Sequence, residues 1–152
     1  IMREQGEGKI INISSIAGIL AVPYQGMYSA SKYAVEGYSE ALRHEVKAFG
    51  IRVSIVQPGD INTTIDDVES NKTIPAYAAP RARAKIIHED SMKNAPSPEI
   101  VANVVARIVK SRRPKLRYAV GKESFVPIAK RFVPTGLGEM WVRRWFKLDA
   151  KS

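Results

Sequence analysis

No cysteine occurs among the 152 residues. Disulfides and thiolate metal sites are therefore excluded, and the chain suits a reducing cytoplasm. Long apolar runs are missing too. The longest candidate, Ile16 to Val22, is interrupted by Gly18 and falls far short of the roughly 18–20 residues a membrane-spanning helix needs. The opening residues Ile1-Met2-Arg3-Glu4-Gln5 are followed by no apolar h-region, so they do not read as a secretory signal. Acidic residues are scarce, 15 against 24 basic ones, for a formal net charge of +9. The basic excess is dispersed over the second half of the chain, and aromatics make up only 8%, without a stacking pattern. Nucleic-acid binding is therefore not expected, and the charge reads as a solubilising surface. The two histidines, His44 and His88, stand apart from any carboxylate or cysteine cluster of metal spacing, so no metal site is expected.

The residues that are present suffice for one domain. Hydrophobic residues make up 45%, and 152 residues can bury a sizeable core. Ile10-Ile11-Asn12-Ile13-Ser14, preceded by Gly8-Lys9, reads as a buried strand. A loop with Gly18 and Pro23 follows. A helix is expected over about Met27–Phe49, with Ala34, Tyr38, Ala41, Leu42, Val46 and Phe49 recurring at steps of three and four as its core face. Gly50 stands where a helix-ending glycine belongs. Ile51 to Val56 reads as a second strand, ended by Pro58-Gly59. Strand, helix and strand make one βαβ unit with parallel strands.

Apolar residues then thin out from Asp60 to about Pro96. The stretch is too long for a plain connection and reads as a functional lid, or else as a disordered segment. Weak helices are expected near Thr64–Ser70 and Pro80–Asn94. Ser97 as N-cap and Pro98 at N1 open a further helix, with Val101, Val104, Val105, Ile108 and Val109 as its apolar face. Leu116–Gly121 reads as a third strand. Two short helices, near Phe125–Phe132 and Gly138–Phe146, finish the chain.

The spacing that carries chemistry is Tyr28-Ser29-Ala30-Ser31-Lys32. Residues four apart lie on one helix face, so the Tyr28 hydroxyl and the Lys32 ammonium can serve one site. A free tyrosine is a poor acid or base at neutral pH, but a fixed cation beside it favours phenolate. That is how a phenol comes to exchange protons with an alcohol or a ketone. Ser15, thirteen residues before Tyr28 and at the end of the first strand, can hydrogen-bond a substrate oxygen and hold it toward the tyrosine.

Three segments in order, Asn12-Ile13-Ser14-Ser15-Ile16-Ala17-Gly18, Tyr28-Ser29-Ala30-Ser31-Lys32 and Pro58-Gly59-Asp60-Ile61-Asn62-Thr63, resemble motifs of the short-chain dehydrogenase/reductase family. Each falls on the expected strand, helix or strand end. The resemblance implies a Rossmann-like, doubly wound parallel α/β sheet, of which this chain supplies the last three strands with their flanking helices. By the same resemblance residues 1–63 are the catalytic βαβ core, 64–96 the substrate lid and 97–152 a C-terminal helix-strand-helix portion of one domain. It further implies that Ser15 orients the substrate, Tyr28 is the general acid/base, and Lys32 tunes the tyrosine and binds the nicotinamide ribose. Pro58 and Gly59 match the turn over the nicotinamide. Ile61 matches the residue whose backbone meets the carboxamide, and Thr63 a hydroxyl on the carboxamide or phosphate. The implied cofactor is NAD or NADP, which the sequence does not distinguish.

The glycine-rich turn that cradles the pyrophosphate in this family has no counterpart here; Gly6-Glu7-Gly8 follows no strand. The chain is therefore expected to be truncated, to expose the edge of its first strand and to bind dinucleotide poorly alone. The expected function is NAD(P)-dependent interconversion of an alcohol and a ketone or aldehyde, on a small hydrophobic substrate, by a cytoplasmic dimer or tetramer. The alternative is a non-catalytic, oligomerising remnant of a dehydrogenase. The tail Met140-Trp141-Val142-Arg143-Arg144-Trp145-Phe146-Lys147 mixes bulky apolar and basic residues; it is expected over the pocket or against a subunit rather than on a membrane surface.

Overall fold

The β-branched runs form three parallel strands, and helices close both faces of the sheet they make. In the computed structural model, which describes residues 1–63, 72 and 74–149, the elements run α1 (Met2–Gln5), β1 (Gly8–Ile13), α2 (Gly26–Glu45), β2 (Ile51–Pro58), α3 (Pro75–Lys93), α4 (Glu99–Lys110), β3 (Arg117–Val120), α5 (Val126–Phe132) and α6 (Thr135–Trp145). Tight 3-10 turns cover Ile16–Gly18, Lys47–Phe49 and Lys122–Phe125. The sheet order is β1-β2-β3, parallel throughout, with Ile13 opposite Val56 and Pro58 opposite Val120. This is the partial Rossmann-like α/β sheet that the family resemblance implied. The helix expected to run to Phe49 stops at Glu45, and Gly50 ends the 3-10 turn that follows: it adopts φ 72°, and a Cβ there would lie 1.9 Å from the Gly6 carbonyl oxygen. Glycine is required at Gly50 both by its left-handed backbone and by the close approach of another chain segment.

Side chains alternate across the sheet, and the two faces differ in character. On one face Val56 and Val120 pack with Val104 and Ile108 of α4, and Ile11, Ile100, Val101, Val105 and Tyr118 surround them. Val56 and Ile108 are fully buried. Burial of this kind contributes about 1.5–3 kcal/mol per large aliphatic side chain. Val109, expected on the apolar face of α4, instead faces solvent, because it lies one position past the stripe that meets the sheet. α4 also starts one residue later than expected. Pro98 holds the N-cap position, and Ser97 Oγ accepts the Glu99 N–H at 3.4 Å.

The other face carries α2, and here the expected core stripe is wrong. Ala34, Tyr38, Ala41 and Phe49 are exposed, while Leu42 and Val46 are half-buried. The buried residues of α2 are Ser29, Glu36 and Ser39. Its sheet-facing side is polar and hydrogen-bonded residue by residue. Asn12 Nδ2 donates to Ser39 Oγ at 2.8 Å, Arg43 donates to the Val53 carbonyl at 2.7 Å, and Ser29 Oγ accepts the Val22 N–H at 3.1 Å. Periodicity alone selected the apolar stripe, whereas the sheet beneath offers Asn12 and Gln57 beside the buried Val53 and Ile55 and recruits the polar stripe.

Helix α3 begins at Pro75, not at Pro80. Pro75 takes the N-terminal position where a missing N–H costs nothing, and Pro80 lies inside the helix, withholding one N–H from the ladder. The helix expected near Thr64–Ser70 lies outside the described residues. Among the described residues no helix is long and apolar enough to cross a membrane. α6 leaves Leu137, Met140, Trp141 and Trp145 exposed, the two tryptophan rings stacked with centroids 5.4 Å apart.

Candidate active site

The fold brings the three sequence motifs to one end of the sheet. Ser15 follows the C-terminal end of β1 and caps the turn Ile16–Gly18, its Oγ accepting the Ala17 N–H at 3.1 Å. The same hydroxyl donates to the Pro58 carbonyl at 3.3 Å, so the first and third motifs are directly joined. Ser14, its neighbour, points elsewhere: its Oγ donates to the Lys32 carbonyl at 3.4 Å, backing the loop against α2. Both serines are buried.

α2 supplies the second motif in its first turns. Lys32 is half-buried, and its Nζ donates to the Ile13 carbonyl at 3.3 Å. That ammonium also lies 5.6 Å from the centroid of the Tyr28 ring. The strand end that leads into Ser15 thus holds the lysine, and the lysine lies against the tyrosine. Tyr28 itself is 44% exposed, which leaves its phenol accessible to a ligand. Gly18 lets this loop close on the helix: a Cβ there would come within 2.9 Å of the Lys32 carbonyl oxygen.

The third motif leaves β2 as a turn anchored on β3, on α3 and on the segment that follows α3. Gly59 N–H donates to the Val120 carbonyl at 2.8 Å. Asp60 N–H donates to Glu123 Oε2 at 3.3 Å, and a Cβ on Gly59 would overlap that carboxylate. Ser91 of α3 donates to the Asp60 carboxylate, and Asn62 N–H bonds the Pro96 carbonyl at 3.0 Å. Ile61 is buried and Thr63 exposed. A lysine ammonium, a phenol and an exposed threonine hydroxyl form a donor and acceptor set suited to ribose hydroxyls and a carboxamide.

Sequence reasoning missed several residues that hold this arrangement. Glu36 is buried between Gln57 and Arg117, and its signal was present as a carboxylate four residues beyond Lys32. Glu123 buttresses the Pro-Gly turn from the 3-10 turn after β3, with no local signal at all. Lys130 of α5 donates to the Ile19 carbonyl and to the Tyr33 hydroxyl at 3.0 Å, tying the C-terminal region to the loop after Ser15. His44 is exposed on α2 and His88 half-buried on α3.

The family model for short chain dehydrogenases matches residues 1–74, the span that contains all three motifs. The chain belongs to the short-chain dehydrogenase family. Among curated members it is 44% identical over 133 residues to the 3-ketodihydrosphingosine reductase of Bacteroides thetaiotaomicron, covering 85% of this chain and 49% of that one. It is 30% identical over 152 residues to the mouse (Mus musculus) 17-beta-hydroxysteroid dehydrogenase type 6, covering 88% and 47%. A solved short-chain dehydrogenase from Streptomyces avermitilis superposes with a TM-score of 0.70 at 30% identity, over 97% of this chain and 54% of that one. The chain spans about half the length of the curated family members it matches.

Proposed function

We propose that this chain is the proton-transfer portion of an NAD(P)-dependent oxidoreductase that interconverts an alcohol and a ketone or aldehyde. The observation that carries this reading is the Lys32 ammonium, held on the Ile13 carbonyl beside Ser15 and lying against the Tyr28 ring. In it Tyr28 is the general acid/base, exchanging a proton with the substrate oxygen, and Lys32 supplies the adjacent positive charge. Ser15 orients that oxygen by swinging its hydroxyl off the Pro58 carbonyl. Lys32, Tyr28, the Pro58–Gly59 turn, the Ile61 backbone and Thr63 would hold the nicotinamide and its ribose. A bound nicotinamide dinucleotide supplies the hydride, and the protein supplies orientation and proton transfer.

The substrate we infer is a small hydrophobic carbonyl compound or its alcohol. The sphingoid ketone and hydroxysteroid in the names of two family members support that choice, as do the exposed apolar side chains of α5 and α6. Residues 1–63, 64–96 and 97–152 would then act as catalytic core, lid and C-terminal cover. The exposed stripe Met27, Ala34, Tyr38 and Ala41 on α2 supports a second copy packing there, as a dimer or tetramer. The cysteine-free composition is compatible with a cytoplasmic location.

The test is Tyr28→Phe in the protein at its natural length. Turnover should fall at least about a hundredfold, the range ascribed to general acid–base catalysis, while dinucleotide binding stays intact. Undiminished turnover would remove Tyr28 from the reaction, whereas a parent protein without turnover would leave the non-catalytic, oligomerising reading in its place.

A further inference from the structure

Tyr28, Lys32 and Glu36 follow one another at steps of four, so they lie along one face of α2. The first two are exposed or half-buried at the site, and Glu36 is 5% exposed beneath the helix. Its Oε1 accepts from Gln57 Nε2 at 3.0 Å and its Oε2 from Arg117 Nε at 2.9 Å. Gln57 is itself buried and is the residue directly before Pro58. Arg117 opens β3 and reaches Glu40, one turn further along α2, at 3.1 Å. Burial pulls the Arg117 guanidinium down, but the bonds and charges of Glu36 and Glu40 outweigh it and hold the group above its ordinary value.

Stability gives no special reason for a charged pair here: replacing both partners of such a pair by apolar side chains of similar volume is often neutral or stabilising, although removing one partner alone is costly. What the carboxylate adds is direction. Both oxygens are engaged, one by each of two strands, so α2 cannot roll about its axis without breaking a charge-assisted bond. The same roll would move Tyr28 and Lys32. The strand at the other end of the Gln57 bond carries the Pro58–Gly59 turn.

We propose that Glu36 is a positioning residue for the reaction: it locks the rotation of the proton-transfer helix to the strand bearing the Pro58–Gly59 turn. Tyr28 and Lys32 are thereby held in register with the part of the site that receives the nicotinamide. Glu36 touches neither substrate nor cofactor and acts through α2 and Gln57. The proposal rests on the roles given above to Tyr28 and Lys32.

The experiment compares Glu36→Met and Glu36→Gln with the parent protein at its natural length. Methionine fills the space without the bonds, whereas glutamine keeps one acceptor oxygen. Misplacing reacting groups by a fraction of an ångström lowers the rate of the chemical step, so Glu36→Met should reduce kcat about tenfold or more with KM changed less than about threefold. The isotope effect from a deuterated dinucleotide should rise as hydride transfer becomes slower. Glu36→Gln should recover part of kcat. The proposal is overturned if the variants keep kcat within about twofold of the parent, or if kcat falls only in proportion to the folded fraction counted by dinucleotide binding. Should Glu36→Met fail to fold, Glu36→Gln decides on the same two readings. Tyr28→Phe separates the levels: its retention of turnover sinks the parent reading, whereas its inactivity beside unaffected Glu36 variants sinks only the role of Glu36.

Discussion

Gly18→Ala adds one methyl group at the contact between the loop after Ser15 and the helix that carries Lys32. The added Cβ would sit 2.6 Å from Ser14 Oγ, 2.9 Å from the Lys32 carbonyl oxygen and 3.1 Å from its carbon. A carbon and an oxygen rest comfortably at about 3.3–3.6 Å. Ser14 can rotate away at the cost of a long bond to the Lys32 carbonyl, 3.4 Å in the parent. The Lys32 carbonyl belongs to the helix backbone and cannot, so loop and helix must separate by about 0.5 Å, an overpacking strain of about 1–3 kcal/mol. The displacement reaches the site at once, because Gly18 N–H is bonded to the Ser15 carbonyl at 2.9 Å. A misplacement of 1 Å can cost about a hundredfold in rate, so half of that should lower kcat about tenfold. Urea unfolding of the natural-length protein and kcat at saturating substrate read the two effects separately. A midpoint unchanged from the parent together with unchanged kcat would refute the contact geometry from which both numbers follow.

Two further substitutions check the fold that positions the site. Gly50→Ala forces a left-handed backbone on a side-chain-bearing residue and drives its Cβ to 1.9 Å from the Gly6 carbonyl oxygen. It should destabilise by more than about 2 kcal/mol in thermal or urea unfolding, and a loss below about 0.5 kcal/mol would contradict the close approach. Ile108→Ala empties a fully buried position between α4 and the sheet and should cost about 2–5 kcal/mol by the same assay, with kcat of the folded enzyme unchanged.

The sequence made legible whatever is encoded locally. The runs read as Ile10–Ser14 and Ile51–Val56 are strands, at Gly8–Ile13 and Ile51–Pro58, although the first, expected to be buried, is half-buried with Ile13 exposed. Gly50 ends the 3-10 turn after α2, where a left-handed backbone and a close neighbour favour glycine. Tyr28 and Lys32 share a helix face because four residues make about one turn. What was not legible depends on neighbours far away in the chain. The apolar recurrence of Ala34, Tyr38 and Ala41 is real, but which face of α2 meets the sheet is decided by Asn12 and Gln57. Glu36 lies 81 residues from Arg117 and Asp60 63 residues from Glu123, so neither pairing has a local signature. Pro80 read as a helix start because a proline inside a helix is disfavoured, and Pro75, five residues earlier, had the stronger claim to that position.

The two faces of the sheet divide the work of the domain. On the α4 face the attraction is apolar and non-directional, which holds the layers together but tolerates small rotations. On the α2 face it is a series of directional bonds: Lys32 to the Ile13 carbonyl, Glu36 to Gln57 and Arg117, Asn12 to Ser39, and Arg43 to the Val53 carbonyl. A helix that must deliver an ammonium to a strand end at a fixed angle is better held by such bonds than by an oily seam, because a rotation of a few degrees breaks them one by one. Alignment is therefore concentrated on the α2 side of the sheet, where the buried Val53 and Ile55 add apolar packing to the directional bonds. Truncations in the Val56–Val104–Ile108–Val120 cluster should move the unfolding midpoint and leave the geometry at Tyr28 intact. Substitutions under α2 should move that geometry by more than their stability cost alone would suggest.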